Sequence, residues 1–439
     1  MADPTLPLEI MGLIIDFYTE SESEQQQPDY DDPLPQQPSK TLLACHMASR
    51  QLRECALRHI CRNISVSLYD TPERLKRNQD IIFEEVNPQL GSLARFVKEV
   101  NIVTISGQDF LPVVHEDVYE DSLLIVLKGV AERIAFQKLS IHGDSLVELI
   151  WTSLPSTVHT ALPLLLQLPS VSSLCLKYIE GLPALFLIAN THLGSLSISH
   201  CWEISEVLSL SASLPKLEQL TLHYMGEFPE SLDLPHLRTL NLRHDDLGDP
   251  EIGWKVISRA CKTLKNLAIH DDEDQDSLMD EGDLRRQLPS ELNVGTLPQL
   301  QNFTYSNNRT SQNEILPTLH DVHHFLRVSR PVPNLKSITF SHSVSDKCLS
   351  HEDIISINED TWRMLDHVLS GGQFTGLQKV HIDVELCLHG QGNRLADLST
   401  HGPDSLVREE VVRDNILDLF GESRQLSIPF EVDATVKRL

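Results

Sequence analysis

Leu217-Glu218-Gln219-Leu220-Thr221-Leu222 is followed a short way on by Leu237-Arg238-Thr239-Leu240-Asn241-Leu242. Both read apolar, two variable residues, apolar, polar, apolar. The phrase returns at Leu264-Lys265-Asn266-Leu267-Ala268-Ile269, Leu300-Gln301-Asn302-Phe303-Thr304-Tyr305, Leu335-Lys336-Ser337-Ile338-Thr339-Phe340 and Leu377-Gln378-Lys379-Val380-His381-Ile382. Upstream it stands at Phe136-Gln137-Lys138-Leu139-Ser140-Ile141, Val171-Ser172-Ser173-Leu174-Cys175-Leu176 and, more weakly, Leu193-Gly194-Ser195-Leu196-Ser197-Ile198. A Leu-Pro or similar pair often precedes it, as at Leu168-Pro169, Leu214-Pro215, Leu234-Pro235, Leu297-Pro298 and Val332-Pro333. Self-similarity of this kind bears on the architecture before any catalytic motif does.

The closing apolar–polar–apolar triplet has a period of two, so its apolar side chains leave a short strand on one face. One such strand cannot bury that face alone, but strands stacked side by side build a parallel sheet over a continuous core. The pattern L-x-x-L-x-L resembles the leucine-rich repeat, from about Arg95 to His381. That resemblance implies an α/β fold: a solenoid shaped as a horseshoe, with a parallel concave sheet and a helical convex side. The Asn or Cys that usually follows the pattern is mostly absent, and neighbouring copies lie about twenty to forty residues apart, against twenty to twenty-nine in regular repeats. An irregular array over residues 95–439 is therefore expected. Helical spacing of apolar residues marks Asp121 to Ile134, Glu203 to Leu214, Trp254 to Leu264 and Thr361 to Leu369 as return helices. The tail after about Asp383 is open between a last strand (Gln425 to Val432) and a helix with coil.

Composition narrows the function. A chain of 439 residues with formal charge −27 lacks the extensive basic surface that nucleic-acid binding needs, and anionic membranes disfavour it too. The run Asp271 to Asp283 reads as an acidic loop between repeats. No apolar run approaches the roughly eighteen residues of a membrane span, and Met1-Ala2-Asp3-Pro4 lacks the features of a secretory signal. The eight cysteines include no C-x-x-C pair, which suggests neither zinc nor a disulfide framework. Cys175 and Cys201 fall in or beside repeat strands, where free Cys acts as a small hydrophobe. Neither G-x-G-x-x-G, nor a P-loop, nor H-E-x-x-H occurs. We expect a cytoplasmic or nuclear protein without cofactor or metal.

Residues 1–70 do not follow the repeat, and 71–94 connect them to it. Apolar residues at Ile10, Leu13, Ile14 and Phe17 give a short amphipathic helix after Leu6-Pro7-Leu8-Glu9-Ile10. Further helical segments read Thr41 to Arg53 and Cys55 to Ile60, before the alternation Ile64-Ser65-Val66-Ser67-Leu68. Leu6-Pro7-Leu8-Glu9-Ile10, Leu42-Leu43-Ala44-Cys45 with Ala48-Ser49-Arg50, and Leu57-Arg58-His59-Ile60-Cys61-Arg62-Asn63-Ile64 together resemble the F-box motif. Two departures stand out: an acidic, Gln- and Pro-rich insertion at 20–40, read as disordered, and Leu52 near where the family has Trp. The resemblance implies a three-helix module that docks on a Skp-type adaptor through Leu6, Pro7, Leu8, Ile10, Ile14, Leu42 and Leu43. It further implies a substrate adaptor of an SCF-type cullin–RING ubiquitin ligase, with an unknown protein substrate held by the array. The alternative is a non-enzymatic scaffold whose F-box remnant only caps the repeats, since solenoid ends need a cap.

A remote alternative is catalytic. Gly143-Asp144-Ser145-Leu146 resembles the nucleophile block of GDSL hydrolases, and Asp321-Val322-His323-His324 their Asp-x-x-His block. That would imply Ser145 as nucleophile, His324 as base and Asp321 as its orienter. No G-x-N-D block supplies oxyanion donors, and residues 136–141 already belong to the repeat series, so no catalytic residue is expected. Histidines after or within the triplets (His142, His200, His223, His244, His270, His342, His381) read first as solvent-facing ladder residues; alternatively they would join Tyr178, Tyr224 and Trp202 in a partner-contact stripe.

Overall fold

The computed structural model describes residues 42, 44, 50–68, 93–103, 116–143, 148–204, 212–225, 228–244, 250–271, 293–307, 322–346, 359–388, 404–421 and 429–438. The fold is mixed α/β. The chain divides into two compact units, Met1–Leu217 with Glu227–Leu232, and Glu218–Gly226 with Asp233–Leu439. The first holds β1 (Asn63–Ser67), β2 (Glu99–Val103), β3 (Lys138–His142), β4 (Leu149–Ile150), β5 (Ser173–Glu180) and β6 (Ser195–Trp202). They pair in the order β1-β2-β3-β5-β6, with β4 beside the far end of β5. The second unit holds β7 (Gln219–Met225), β8 (Thr239–His244), β9 (Asn266–Asp271), β10 (Asn302–Asn307), β11 (Ser337–Asp346), β12 (Lys379–Leu388) and β13 (Phe430–Arg438), paired in chain order. Every one of these pairings is parallel.

All nine sextets therefore become strands, and the pairs before them become turns. The N–H of Val171 donates to the carbonyl of Leu168, that of Leu217 to Leu214, Leu237 to Leu234 and Leu300 to Leu297. Each is a four-residue turn with Pro second, where a preset φ near −65° fits. The next step is shared as well. The carbonyl of Gln137 accepts from both Ser172 and Ser173, and the same fork recurs at Ser172, Glu218, Arg238, Lys265, Gln301 and Lys336. In these seven copies the sextet's second residue thus locks the following copy into register before its strand begins.

Register puts like with like. In the first unit Ile64, Val100, Leu139, Leu174 and Leu196 are successive partners, as are Val66, Ile102, Ile141, Leu176 and Ile198. In the second, Leu220, Leu240, Leu267, Phe303, Ile338, Val380 and Phe430 form one such row. Ile64 is half-buried, and the other side chains of these rows whose burial is described are buried. A one-residue slip would turn a whole row to the other face, so burial enforces the register.

Parallel strands need crossovers, and these are unequal. Helix α2 (Glu116–Arg133) joins β2 to β3, α3 (Ser156–Leu166) β4 to β5, α4 (Ala184–Ile188) β5 to β6, and α5 (Pro250–Ala260) β8 to β9. Helix α6 (Glu359–Ser370) joins β11 to β12, and α7 (Asp404–Leu419) β12 to β13. Apolar stripes enter the core from Leu123, Val126, Leu127 and Val130 on α2, from Val158, Ala161, Leu162 and Leu165 on α3, from Val256, Ile257 and Ala260 on α5, and from Trp362, Leu365 and Leu369 on α6. Three of the four helices expected from spacing appear. Over 203–214, by contrast, Glu203 and Ile204 are non-helical and Ala212–Ser213 is extended; residues 205–211 lie outside the described residues. The open tail resolves into α7 followed by β13.

Arg50–Ile60 is one continuous helix, here α1. The expected break between the second and third amino-terminal segments is absent, because Arg53-Glu54-Cys55 contains no helix breaker. Leu42, Cys55 and Ala56 form a small core against which Leu52 and Ile60 pack. The acidic stretch 272–283 and the insertion at 20–40 lie outside the described residues.

Candidate functional site

The residues between the apolar rows face away from the core in both units. In the second unit the middle row runs Thr221, Asn241, Ala268, Thr304, Thr339, His381 and Glu431. Short polar groups tie neighbours together: Asn266 donates to Thr239 at 3.0 Å, Asn302 to Asn266 at 2.7 Å, and Ser341 to Asp383 at 3.3 Å. The composition of one outward row changes along the sheet. His223, Arg243 and His270 occupy one row on β7–β9, and the same row ends in Asp383 and Asp433 on β12–β13. His381 stands 3.7 Å from Glu431 and 3.9 Å from Asp433.

Among the described residues, the first unit departs from regularity at the ends of β5 and β6. Lys177 pairs with Ser199 and Ile179 with Cys201, so Tyr178 and His200 are extra residues at matching positions of β5 and β6. Both are left-handed, with φ of 53° and 50°, a conformation rarely adopted by bulky residues. Their rings stack with centroids 4.4 Å apart and planes 21° apart. Gly143 abuts this bulge: its N–H donates to the Lys177 carbonyl at 2.8 Å, and a Cβ there would collide with the Tyr178 carbonyl oxygen.

Electrostatics differ on the two sides of the bulge. Before it lie Lys138, His142 and Lys177. Burial, then Lys177 and Lys138, lower the His142 pKa to about 4, so the imidazole is neutral near pH 7. Beyond it Ile150, Glu180 and Trp202 are successive partners across β4, β5 and β6. Burial pushes the Cys201 thiol up to about 12 and raises that of Cys175, leaving both as unreactive thiols at neutral pH.

Of the adaptor-docking residues expected from sequence, Leu42 alone is described, and its side chain is buried in the small core beside α1. Leu6, Pro7, Leu8, Ile10, Ile14 and Leu43 lie outside the described residues, as do Ser145 and Asp321. His324 is half-buried, and its Nδ1 has no hydrogen-bond partner. Of the histidine stripe, His142, His223, His270 and His381 reach the outward faces; the side chains of Tyr224, His244 and His342 lie outside the described residues. Among the described residues no group of three or more His, Cys, Asp or Glu could hold a metal ion, and no helix is long and apolar enough to cross a membrane. Sequence reading missed Ile150 and Glu180 as outward-facing neighbours of Trp202. No protein-family model matches the chain, and neither does any curated protein.

Proposed function

We propose that this chain is a non-catalytic recognition subunit, a divergent leucine-rich-repeat array that serves as the substrate adaptor of an SCF-type ubiquitin ligase. The observation that carries the reading is the register. Like residues align from strand to strand, the apolar positions of the sextets go to one side, and mainly polar side chains are presented on the other at the roughly 4.8 Å strand spacing. Repeat arrays use such faces to hold other proteins. A repeat solenoid with helical returns of unequal length fits these strands and crossovers. The helix α1 and its Leu42–Cys55–Ala56 core precede β1 in the sequence, where the F-box resemblance puts the adaptor-binding module. Leu42 would act from within, holding the helices that present Leu6, Pro7, Leu8, Ile10, Ile14 and Leu43.

A second reading has its own support. β1 follows α1 directly and pairs with β2, and the Arg62 carbonyl accepts from Lys98 and Glu99. The amino-terminal module is thus joined to the sheet it would cap. The test is capture of a purified Skp-type adaptor and cullin by the full chain. Binding at micromolar concentration that the double variant Pro7→Ala/Leu8→Ala abolishes, with the fold intact, supports the ligase adaptor. No capture by the folded wild-type chain leaves the capping role.

A further inference from the structure

The alternation of β5 and β6 changes phase at the paired bulge. Leu174 and Leu176 point inward, and a regular strand would send positions 178 and 180 after them. The extra residue at Tyr178 instead puts Ile179 into the core and turns Glu180 outward. In β6, His200 does the same, burying Cys201 and turning Trp202 outward. Two bulky residues held at left-handed φ destabilise the strand ends, and backbone strain of this kind concentrates at functional sites. Its effect here is to present one row: Ile150, Glu180 and Trp202, side by side on adjacent strands.

We propose that this row receives a cationic side chain, arginine or lysine, from an incoming protein segment. This rests on reading the outward face as a recognition surface. Ile150 is 44% exposed, the kind of apolar group that accepts an aliphatic stem. Trp202, partly exposed, lies two strands further on, and an indole can pair with a guanidinium or ammonium. Between them stands the Glu180 carboxylate, which fits arginine in a forked geometry. Glu148 and Glu203 are exposed at the neighbouring strand ends, and the charge of Glu148 is felt at Cys201. On the other side of the bulge Lys138 stands 3.7 Å from Glu99, and Lys177, next to the bulge, repels a cation. The row therefore selects a segment whose positive residue lies past the stacked Tyr178–His200 pair and whose neighbour toward Lys177 is neutral or acidic. Tyr178 and His200 are positioning residues: they set the phase of the strands that present the row.

The chain suits a direct test, because Trp151, Trp254 and Trp362 are buried and Trp202 is the least buried of the four tryptophans. Acrylamide quenching of the full-length protein, minus that of Trp202→Phe, reports on Trp202. The probe is a capped Gly-Ser-Gly-Arg-Gly-Ser-Gly peptide, with citrulline or glutamate replacing arginine in the controls. At millimolar concentration the arginine peptide is expected to reduce Trp202 quenching at least twofold, and the neutral and acidic peptides to leave it unchanged. The isosteric Glu180→Gln should weaken arginine-peptide binding at least fivefold, whereas Glu431→Gln in the second unit should not. Equal protection by the citrulline peptide, no protection by any peptide, or equal losses in the two Glu→Gln variants would overturn the site. Arginine-specific protection in a chain that captures no Skp-type adaptor would instead remove the ligase assignment and leave the site standing.

Discussion

The carbonyl oxygen of Pro333 occupies the space that a Cβ on Gly376 would need. Phe374-Thr375-Gly376-Leu377 forms the same four-residue turn that Leu-Pro pairs form elsewhere, with the Leu377 N–H donating to Phe374 at 3.1 Å. Here closeness to the preceding turn, rather than a preset φ, selects the residue. Gly376→Ala should cost about 2 kcal/mol or more, since both clashing atoms belong to backbone that cannot swing away. Gly372 is the control: its φ of 73° is left-handed, but nothing crowds it. Gly372→Asn should cost well under about 1 kcal/mol, because Asn tolerates that conformation. Urea denaturation of the two variants decides; equal costs would show that the Pro333 approach relaxes.

Leu267 is fully buried, with Leu240 on one side and Phe303 on the other. Leu267→Ala should destabilise the second unit by about 2–5 kcal/mol, the transfer loss plus the cavity left behind. Asn302→Ala, on the outward face, removes one partly solvated hydrogen bond to Asn266 and should cost only about 1 kcal/mol. Denaturant midpoints that fell equally for both would mean the sheet is not held chiefly by its apolar side.

Much of this architecture is readable from the chain because period two and a Leu-rich phrase coincide. Where the apolar residues are β-branched the phrase is harder to hear. Val97-Lys98-Glu99-Val100-Asn101-Ile102 and Cys61-Arg62-Asn63-Ile64-Ser65-Val66 fit the sextet, and they become β2 and β1. The bulge carried a signal that propensity hides. Leu176 to Ile179 and Ile198 to Cys201 both step by three where a strand steps by two. Tyr does not announce left-handed backbone and His does so only weakly, so the outward turn of Glu180 beside Ile150 is not legible in the chain. The amino-terminal docking residues were singled out by motif, and a motif states residue types without stating which side chains the module buries; Leu42 is one that it does.

Cys201 is fully buried, and its thiol pKa is pushed up to about 12 by loss of solvent. Thiolate is the reactive form, so in the native protein Cys201 should resist alkylation at pH 8. It should react at the rate of a model thiol once urea unfolds the first unit. Iodoacetamide labelling with peptide mapping reads this site by site. Native-state labelling of Cys201 as fast as that of a free thiol would mean the β5–β6 edge opens readily.

His142 gives the chain a pH dependence with a defined sign. Its folded pKa is about 4 against about 6.5 unfolded, chiefly through burial and then through Lys177 and Lys138. A neutral imidazole in the fold means that the unfolded chain takes up the proton first as pH falls. The stabilising contribution is therefore complete above about pH 6.5, shrinks through the window down to about pH 4, and is gone below it. The shift corresponds to a loss of about 3 kcal/mol at most across that window. His142→Gln should flatten the stability curve between pH 6.5 and 4 relative to wild type, leaving the titration of carboxylates visible in both. Lys177→Gln should raise the His142 pKa, followed through its imidazole proton signal, without restoring it fully, since burial is the larger cause. A His142 signal titrating near pH 6.5 in the folded wild-type protein would show that water reaches the imidazole beside the bulge, and the positive potential assigned to that side would have to be given up.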